Sequence, residues 1–197
     1  VFAMLLYQAR GAFAGKTGTE LRGKTIGIHA FGNVGRNVAE ISRGFGMEVY
    51  AFDPFVSPDV MSAAGVKVCT STGELYSSSQ YVTLHMPAND ETIKSVGYDL
   101  MMSMPPGAVL VNTARKEVIN EDDLLKVFED RKDFFYIADV EPTCRPVLEE
   151  KHGGRFLFTA KKMGAQTEEA NINAGIAAAK QIVNYITKGD KTFQVNK

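Results

Sequence analysis

The run from Lys24 to Val38, KTIGIHAFGNVGRNV, constrains the chain most, because a short apolar segment turns within a few residues into an amphipathic one. Thr25–His29 reads as a buried strand, and a helix is predicted from about Val34 to Phe45 with Val34, Val38 and Ile41 on one face. A strand turning tightly into a helix aims bare backbone N–H groups and the positive end of a helix dipole at one point, which suits a phosphate. Gly32 and Gly35 take the second and third places of the pattern G-x-G-x-x-G, while Ala30 stands where the first glycine is expected. An alanine is tolerable there if its backbone keeps a negative φ. A second strand, Glu48–Phe52, follows at the distance of a βαβ unit and ends at Asp53, an acid placed to accept the hydroxyls of a ribose.

The remaining chain keeps alternating. Strands are predicted at 66–69, 81–86, 108–112, 134–138 and 156–159. Helices are predicted around 58–64, after a cap at Ser71 or Thr72, over 96–104, after Asn120, and after Thr167 up to Gly189. The last carries Ile172, Ile176, Ala179, Val183 and Ile186 at helical spacing, a predicted apolar stripe. Strands apolar along most of their length that alternate with helices give an α/β fold, a Rossmann-like doubly wound parallel sheet with helices on both faces. Such a sheet binds ligands outside the carboxyl ends of its strands. The polar residues converge there: the turn Ala30, Phe31, Gly32, Asn33, Val34 and Gly35, then Asp53, His85 to Pro87, Asn112 to Arg115, Asp139 to Glu141, and Lys161 with Lys162.

Length and composition exclude several classes. A chain of 197 residues with 45 % hydrophobic and 23 % charged residues is that of a globular protein with one substantial core. A net charge of -1 without a basic cluster argues against a nucleic-acid partner, and no run approaches the ~18 apolar residues of a membrane span. Cys69 and Cys144 are far apart in sequence and lack partners at metal spacing, so reduced structural thiols in a cytoplasmic protein are expected, with no metal. The opening Val1 to Tyr7 is apolar and lacks both an initiator methionine and the pattern of a signal peptide, as expected of a piece of something longer. The predicted organisation is an N-terminal helix and linker over 1–24, a dinucleotide-binding domain over 25–189, and a stub over 190–197. Asp53 selects NAD over NADP, since a carboxylate repels a 2′-phosphate.

Several pieces together carry a resemblance: the turn at Ala30 to Gly35, His85-x-Pro87 followed by Thr92, and GAVLVNTAR from Gly107 to Arg115. The run Asp139-Val140-Glu141-Pro142 and Gly164-Ala165 ahead of Thr167 and Glu169 add to it. From about Gly23 to Gly175 the chain resembles the cofactor-binding domain of the D-2-hydroxyacid dehydrogenases, most of all the phosphoglycerate dehydrogenase branch. The resemblance implies NAD-dependent oxidation of a small anionic 2-hydroxy acid, for that branch 3-phosphoglycerate to 3-phosphohydroxypyruvate at the entry to serine synthesis. It also implies a separate N-terminal substrate-binding domain, to which the stub 190–197 would return, and a homodimer in which the helix over 1–10 takes part. The fragment alone is expected to be inactive, because it holds one wall of the cleft.

The resemblance implies roles residue by residue. Arg115 matches the arginine that grips the substrate carboxylate, which a planar fork of donors suits; a lone arginine after a strand would otherwise read as a surface residue. Lys116 departs from the glycine usual after that arginine. Glu141 matches the acidic partner of the acid–base residue, and Asp139 the carboxylate beside the nicotinamide amide. His85, Pro87, Thr92, Thr113 and Ala114 match positions lining the cofactor pocket. The usual Pro-His-x-Gly-Ala is replaced by Ala160-Lys161-Lys162-Met163-Gly164-Ala165, and a lysine-bearing branch of the family has such a segment. Lys161 is the first choice for the acid–base residue because it follows Ala160, and Lys162 the second. A lysine so used must be depressed from ~10.4 by burial or cationic neighbours. Of the histidines, His29 is expected to be a neutral, satisfied residue within its strand, and His152 to face solvent. Other readings are a dehydrogenase for glycerate or lactate and a non-catalytic NAD-binding regulatory protein.

Overall fold

The computed structural model describes residues 19–160 and 167–196, so the helix predicted over 1–10 and both Lys161 and Lys162 lie outside the described residues. Seven strands form one sheet: β1 (Thr25–His29), β2 (Glu48–Phe52), β3 (Lys67–Val68), β4 (Tyr81–Leu84), β5 (Val109–Asn112), β6 (Phe135–Ala138) and β7 (Phe156–Phe158). Their order is β3-β2-β1-β4-β5-β6-β7 and every pair is parallel. The winding reverses between β1 and β4, which opens a crevice above their carboxyl ends.

The helices are α1 (Asn33–Gly44), α2 (Pro58–Ala63), α3 (Thr72–Ser77), α4 (Tyr98–Ser103), α5 (Glu121–Asp130), α6 (Arg145–Lys151) and α7 (Glu168–Lys188). Their starts follow from side-chain chemistry. Ser71 accepts from the amide of Glu74 at 3.1 Å, and Asn120 accepts from that of Asp123 at 3.4 Å. Thr167 accepts from Ala170 at 3.0 Å, and Gly189 ends α7 in the left-handed conformation at φ 65°. The core lies on both faces of the sheet. Ile28, Val49 and Ala51 pack with Ala39 of α1 and Met61 of α2, whereas Val82, Leu84, Leu110 and Tyr136 pack with residues of α3 to α6, among them Leu75, Met101, Leu124 and Leu148.

The structure corrects or adds to the sequence reading at α1, α6, α7 and His152. The buried face of α1 is Gly35, Ala39 and Ser42, while Val34 and Ile41 are exposed at 59 % and 60 %. Small residues let the helix lie close on the sheet, a requirement that outweighs apolar periodicity. Helix α7 forms where its caps predict but buries none of its residues, because periodicity defines an apolar face without saying what covers it. His152 does not face solvent. It is buried, takes a hydrogen bond from Arg155 at 2.9 Å, and lies 5.6 Å from the Phe128 ring. Helix α6 was not anticipated, although Pro146 in its first turn and Lys151 in its last are ordinary terminal signals.

Candidate cofactor-binding site

The site begins where β1 ends. The amide of Ala30 continues the β1–β2 pairing by donating to Phe52 O at 2.9 Å, and the next amide, of Phe31, donates to Asp53 Oδ2 at 2.7 Å. The second oxygen of Asp53 accepts from the Phe55 amide at 2.8 Å. One carboxylate therefore ties the turn after β1 to the end of β2, and each oxygen keeps a lone pair for a further donor. Ala30 sits at φ +78°, so the condition under which an alanine is free of strain there is not met: the turn holds a left-handed residue in spite of the side chain. Gly32 caps α1 with no side-chain hydrogen bond, and the first turn carries no acid. Its leading N–H groups are open to an anion. A Cβ at Gly35 would collide with the carbonyl oxygen of Ala30, so the glycine is what allows helix and turn to approach.

At the end of β4 the His85 amide bonds His29 O at 2.9 Å, joining the two strands across the reversal point. Both side chains are neutral. Burial pushes His29 down to about 4, against the pull of Asp53, and its Nδ1 lies 3.2 Å from the hydroxyl of buried Tyr76. Burial likewise lowers His85 to about 4, and its Nε2 is 3.1 Å from Thr83 Oγ1. The loop beyond is locked by Asn89, whose Oδ1 accepts from the amides of Glu91 and Thr92 at 3.1 and 3.0 Å, and by Thr92, whose hydroxyl donates to Pro87 O.

At the end of β5, buried Asn112 builds the turn that presents Arg115. Its Nδ2 donates to Arg115 O at 2.9 Å and to the Tyr136 hydroxyl at 3.2 Å, while Oδ1 accepts from the Ala114 amide at 3.0 Å. The Arg115 side chain is exposed at the rim, with Nη1 on Ala114 O at 3.0 Å. Asp139, after β6, pairs its amide with Asn112 O at 3.0 Å and accepts from Thr159 Oγ1 at 2.9 Å. Glu141 is half-buried and ion-paired with Arg145, whose Nε also bonds Glu149 at 2.7 Å. Glu121 anchors this loop by accepting from the amides of Thr143 and Cys144 at 2.9 and 2.8 Å.

Two cavities meet over the reversal point, sharing Met86 and Pro87. One of about 330 Å³ includes His29, Ala30, Asp53, Phe55 and Thr92 in its lining; the other, about 300 Å³, includes Val34, His85, Thr113, Ala114 and Arg115. The structure thus gathers most of the predicted cofactor residues into one crevice and leaves Asp139 and Glu141 beside it on β6's loop. A larger hollow of about 590 Å³ lies along α7 and the 190–196 stretch, lined by Ile182, Tyr185, Phe193 and Val195 among others, with little chemistry to offer. Lys67 on edge strand β3 pairs with Glu48, and three strands separate it from β5. Arg145, Tyr76, Tyr136, Glu121 and Phe55 were not singled out from sequence; for Arg145 the four-residue spacing from Glu141 was the available signal.

Residues 5–152 match the family model of the D-isomer specific 2-hydroxyacid dehydrogenase NAD binding domain. The chain belongs to this family. Its 2-hydroxyacid dehydrogenase relatives include the D-3-phosphoglycerate dehydrogenases of Archaeoglobus fulgidus, 35 % identical over 172 residues, and of Methanocaldococcus jannaschii, 31 % identical over 169. These alignments cover 85 % and 84 % of this chain and 32 % of each relative, so the chain spans about a third of their length. A cofactor (NAD+)-bound 3-phosphoglycerate dehydrogenase structure from Entamoeba histolytica is 41 % identical, superposes with a TM-score of 0.83, and is matched over 100 % of this chain and 62 % of its own. The family is NAD-dependent, and the open α1 N-terminus, the Gly35 contact and Asp53 fit that cofactor. No helix among the described residues is long and apolar enough to cross a membrane.

Proposed function

We propose that this NAD-binding domain serves a D-2-hydroxyacid dehydrogenase that oxidises 3-phosphoglycerate to 3-phosphohydroxypyruvate. The observation carrying the reading is the adjacency of the two cavities: the pocket at Asp53 and the pocket at Arg115 share Met86 and Pro87, so a dinucleotide held at the first reaches the arginine at the second. The names of the relatives support the substrate. In this reading the amides of the α1 N-terminus hold the pyrophosphate, Asp53 takes the adenosine ribose, and Asp139 faces the nicotinamide amide. Bound NAD supplies the hydride acceptor. Arg115 grips the substrate carboxylate, and Lys161 Nζ, or Lys162 Nζ in its place, accepts the α-hydroxyl proton as the carbonyl forms, with Glu141 orienting that lysine. Since Arg145 pairs with Glu141 in this structure, Glu141 must exchange or share that partner to act.

The same reading makes the whole protein a cytoplasmic homodimer at the entry to serine synthesis, and this fragment inactive without the other wall of its cleft. A hydroxypyruvate reductase of Thermotoga maritima, 30 % identical over 171 residues, keeps other 2-hydroxy acids as alternatives. Steady-state reduction of NAD by the complete enzyme with 3-phosphoglycerate, glycerate and D-lactate tests the proposal. Highest kcat/KM for 3-phosphoglycerate supports it; a preference for another acid, or NAD binding without turnover, overturns it.

A further inference from the structure

Arg145 opens α6 with its guanidinium between two carboxylates. Nη1 donates to Glu141 Oε2 on the loop after β6, and Nε donates to Glu149 Oε1 at 2.7 Å one turn further along the helix. The backbone around it is fixed. Its amide bonds Pro142 O at 3.2 Å, Pro146 sets the next φ, and the amides of Thr143 and Cys144 occupy both oxygens of Glu121. The side chains of Arg145, Glu141 and Glu149 are 39 %, 43 % and 50 % exposed, and ion pairs so solvated add little to the stability of a fold. What the pairing does fix is the direction of Glu141. Among the described residues it engages Oε2 alone, which leaves Oε1 able to accept from a second donor.

We propose that Arg145 is a positioning residue that divides the Glu141 carboxylate between its own guanidinium and the acid–base lysine. The proposal rests on the dehydrogenase reading of Glu141 and adds the residue that sets how strongly this carboxylate holds the lysine. When Glu141 turns towards the ammonium, Glu149 retains Arg145. The sign follows from the charges. A carboxylate given wholly to the lysine favours its ammonium form, and a guanidinium beside the two favours the neutral amine. The neutral amine is the form that accepts the α-hydroxyl proton, so Arg145 keeps the base competent at lower pH. The other charged groups about this loop are committed elsewhere. Glu121 of α5 holds the two amides, Asp122 follows it in the first turn of that helix, Asp139 accepts from Thr159, and Arg115 lies on Ala114 O at the rim. Burial pushes the Cys144 thiol up, which keeps it uncharged.

The test is the pH profile of kcat/KM for NAD reduction by the complete enzyme with its preferred 2-hydroxy acid, in wild type, R145M, R145K, E141Q and the double variant E141Q/R145M. R145M is expected to move the midpoint up by about one pH unit, with kcat/KM about tenfold down below it and equal to wild type on the alkaline plateau. R145K keeps the charge and stays within about twofold of wild type throughout. E141Q moves the midpoint down, and the shift caused by R145M shrinks in its presence. A profile unchanged in R145M, a loss equal at every pH, or a shift undiminished by E141Q overturns the role of Arg145. An E141Q profile identical to wild type overturns the reading of Glu141 beneath it.

Discussion

The carbonyl oxygen of Ala30 faces the bare Cα of Gly35 so closely that any side chain there would overlap it. The obstacle is backbone, with Ile28 Cγ2 at 3.0 Å on another side, so relief requires moving the turn itself. G35A is therefore expected to destabilise the domain by about 2–3 kcal/mol and to remove NAD binding. Urea unfolding and NAD titration check both parts; a variant of wild-type stability that binds NAD normally would refute the close approach.

Ala30 itself holds φ +78°. An alanine in the left-handed region costs about 1–2 kcal/mol relative to the right-handed one, whereas a glycine there loses about 0.4–1 kcal/mol through the freer unfolded chain. The strain term is larger, so A30G should raise stability by up to about 1 kcal/mol with NAD affinity equal or tighter. A lower melting temperature for A30G would contradict the strain.

Asn112 offers both donors and its acceptor to the Arg115 turn and Tyr136 while 4 % exposed. N112D keeps the shape but replaces the donating amide with an acceptor opposite the Arg115 carbonyl, at a cost of about 2–3 kcal/mol in unfolding free energy. In the complete enzyme the same change should lower kcat/KM at least about tenfold through displacement of Arg115. Retained stability and turnover would show that the turn holds without Asn112.

His29 titrates near 4 in the folded chain against about 6.5 when unfolded. Between those values the unfolded state binds the extra proton, so stability is full above about 6.5 and falls as pH drops towards 4, by up to about 3 kcal/mol from this residue. NMR titration of His29 should give a midpoint near 4, and H29Q should flatten the decline of stability across this window. A midpoint near 6.5 would contradict the buried neutral form.

How far the sequence foretold this depends on the kind of signal. The alternation of strands and helices and the parallel doubly wound class follow from apolar runs separated by turn residues, and β1 and β2 end where the pattern places them. What it left out depends on distance through space. The exposure of Val34 and Ile41 follows from how near α1 lies to β1, which a helical wheel does not encode. His152 is enclosed by Arg155 and the Phe128 ring. Its neighbourhood of lysine and glycine residues reads as solvent because burial is set by remote packing. At the site, the cofactor turn was legible as a contiguous motif, while the Glu141–Arg145 pair and the Asn112–Tyr136 support depend on a helix and a strand pairing formed only in the fold.

The central claim is that the turn at Ala30 to Gly35 and the carboxylate of Asp53 hold NAD and discriminate against a 2′-phosphate. Calorimetric titration of the chain with NAD and NADP tests it most directly, with D53A alongside. The account predicts NAD binding at least about tenfold tighter than NADP, a gap of about 1.4 kcal/mol that D53A narrows. Equal or tighter binding of NADP by the wild-type chain would contradict it.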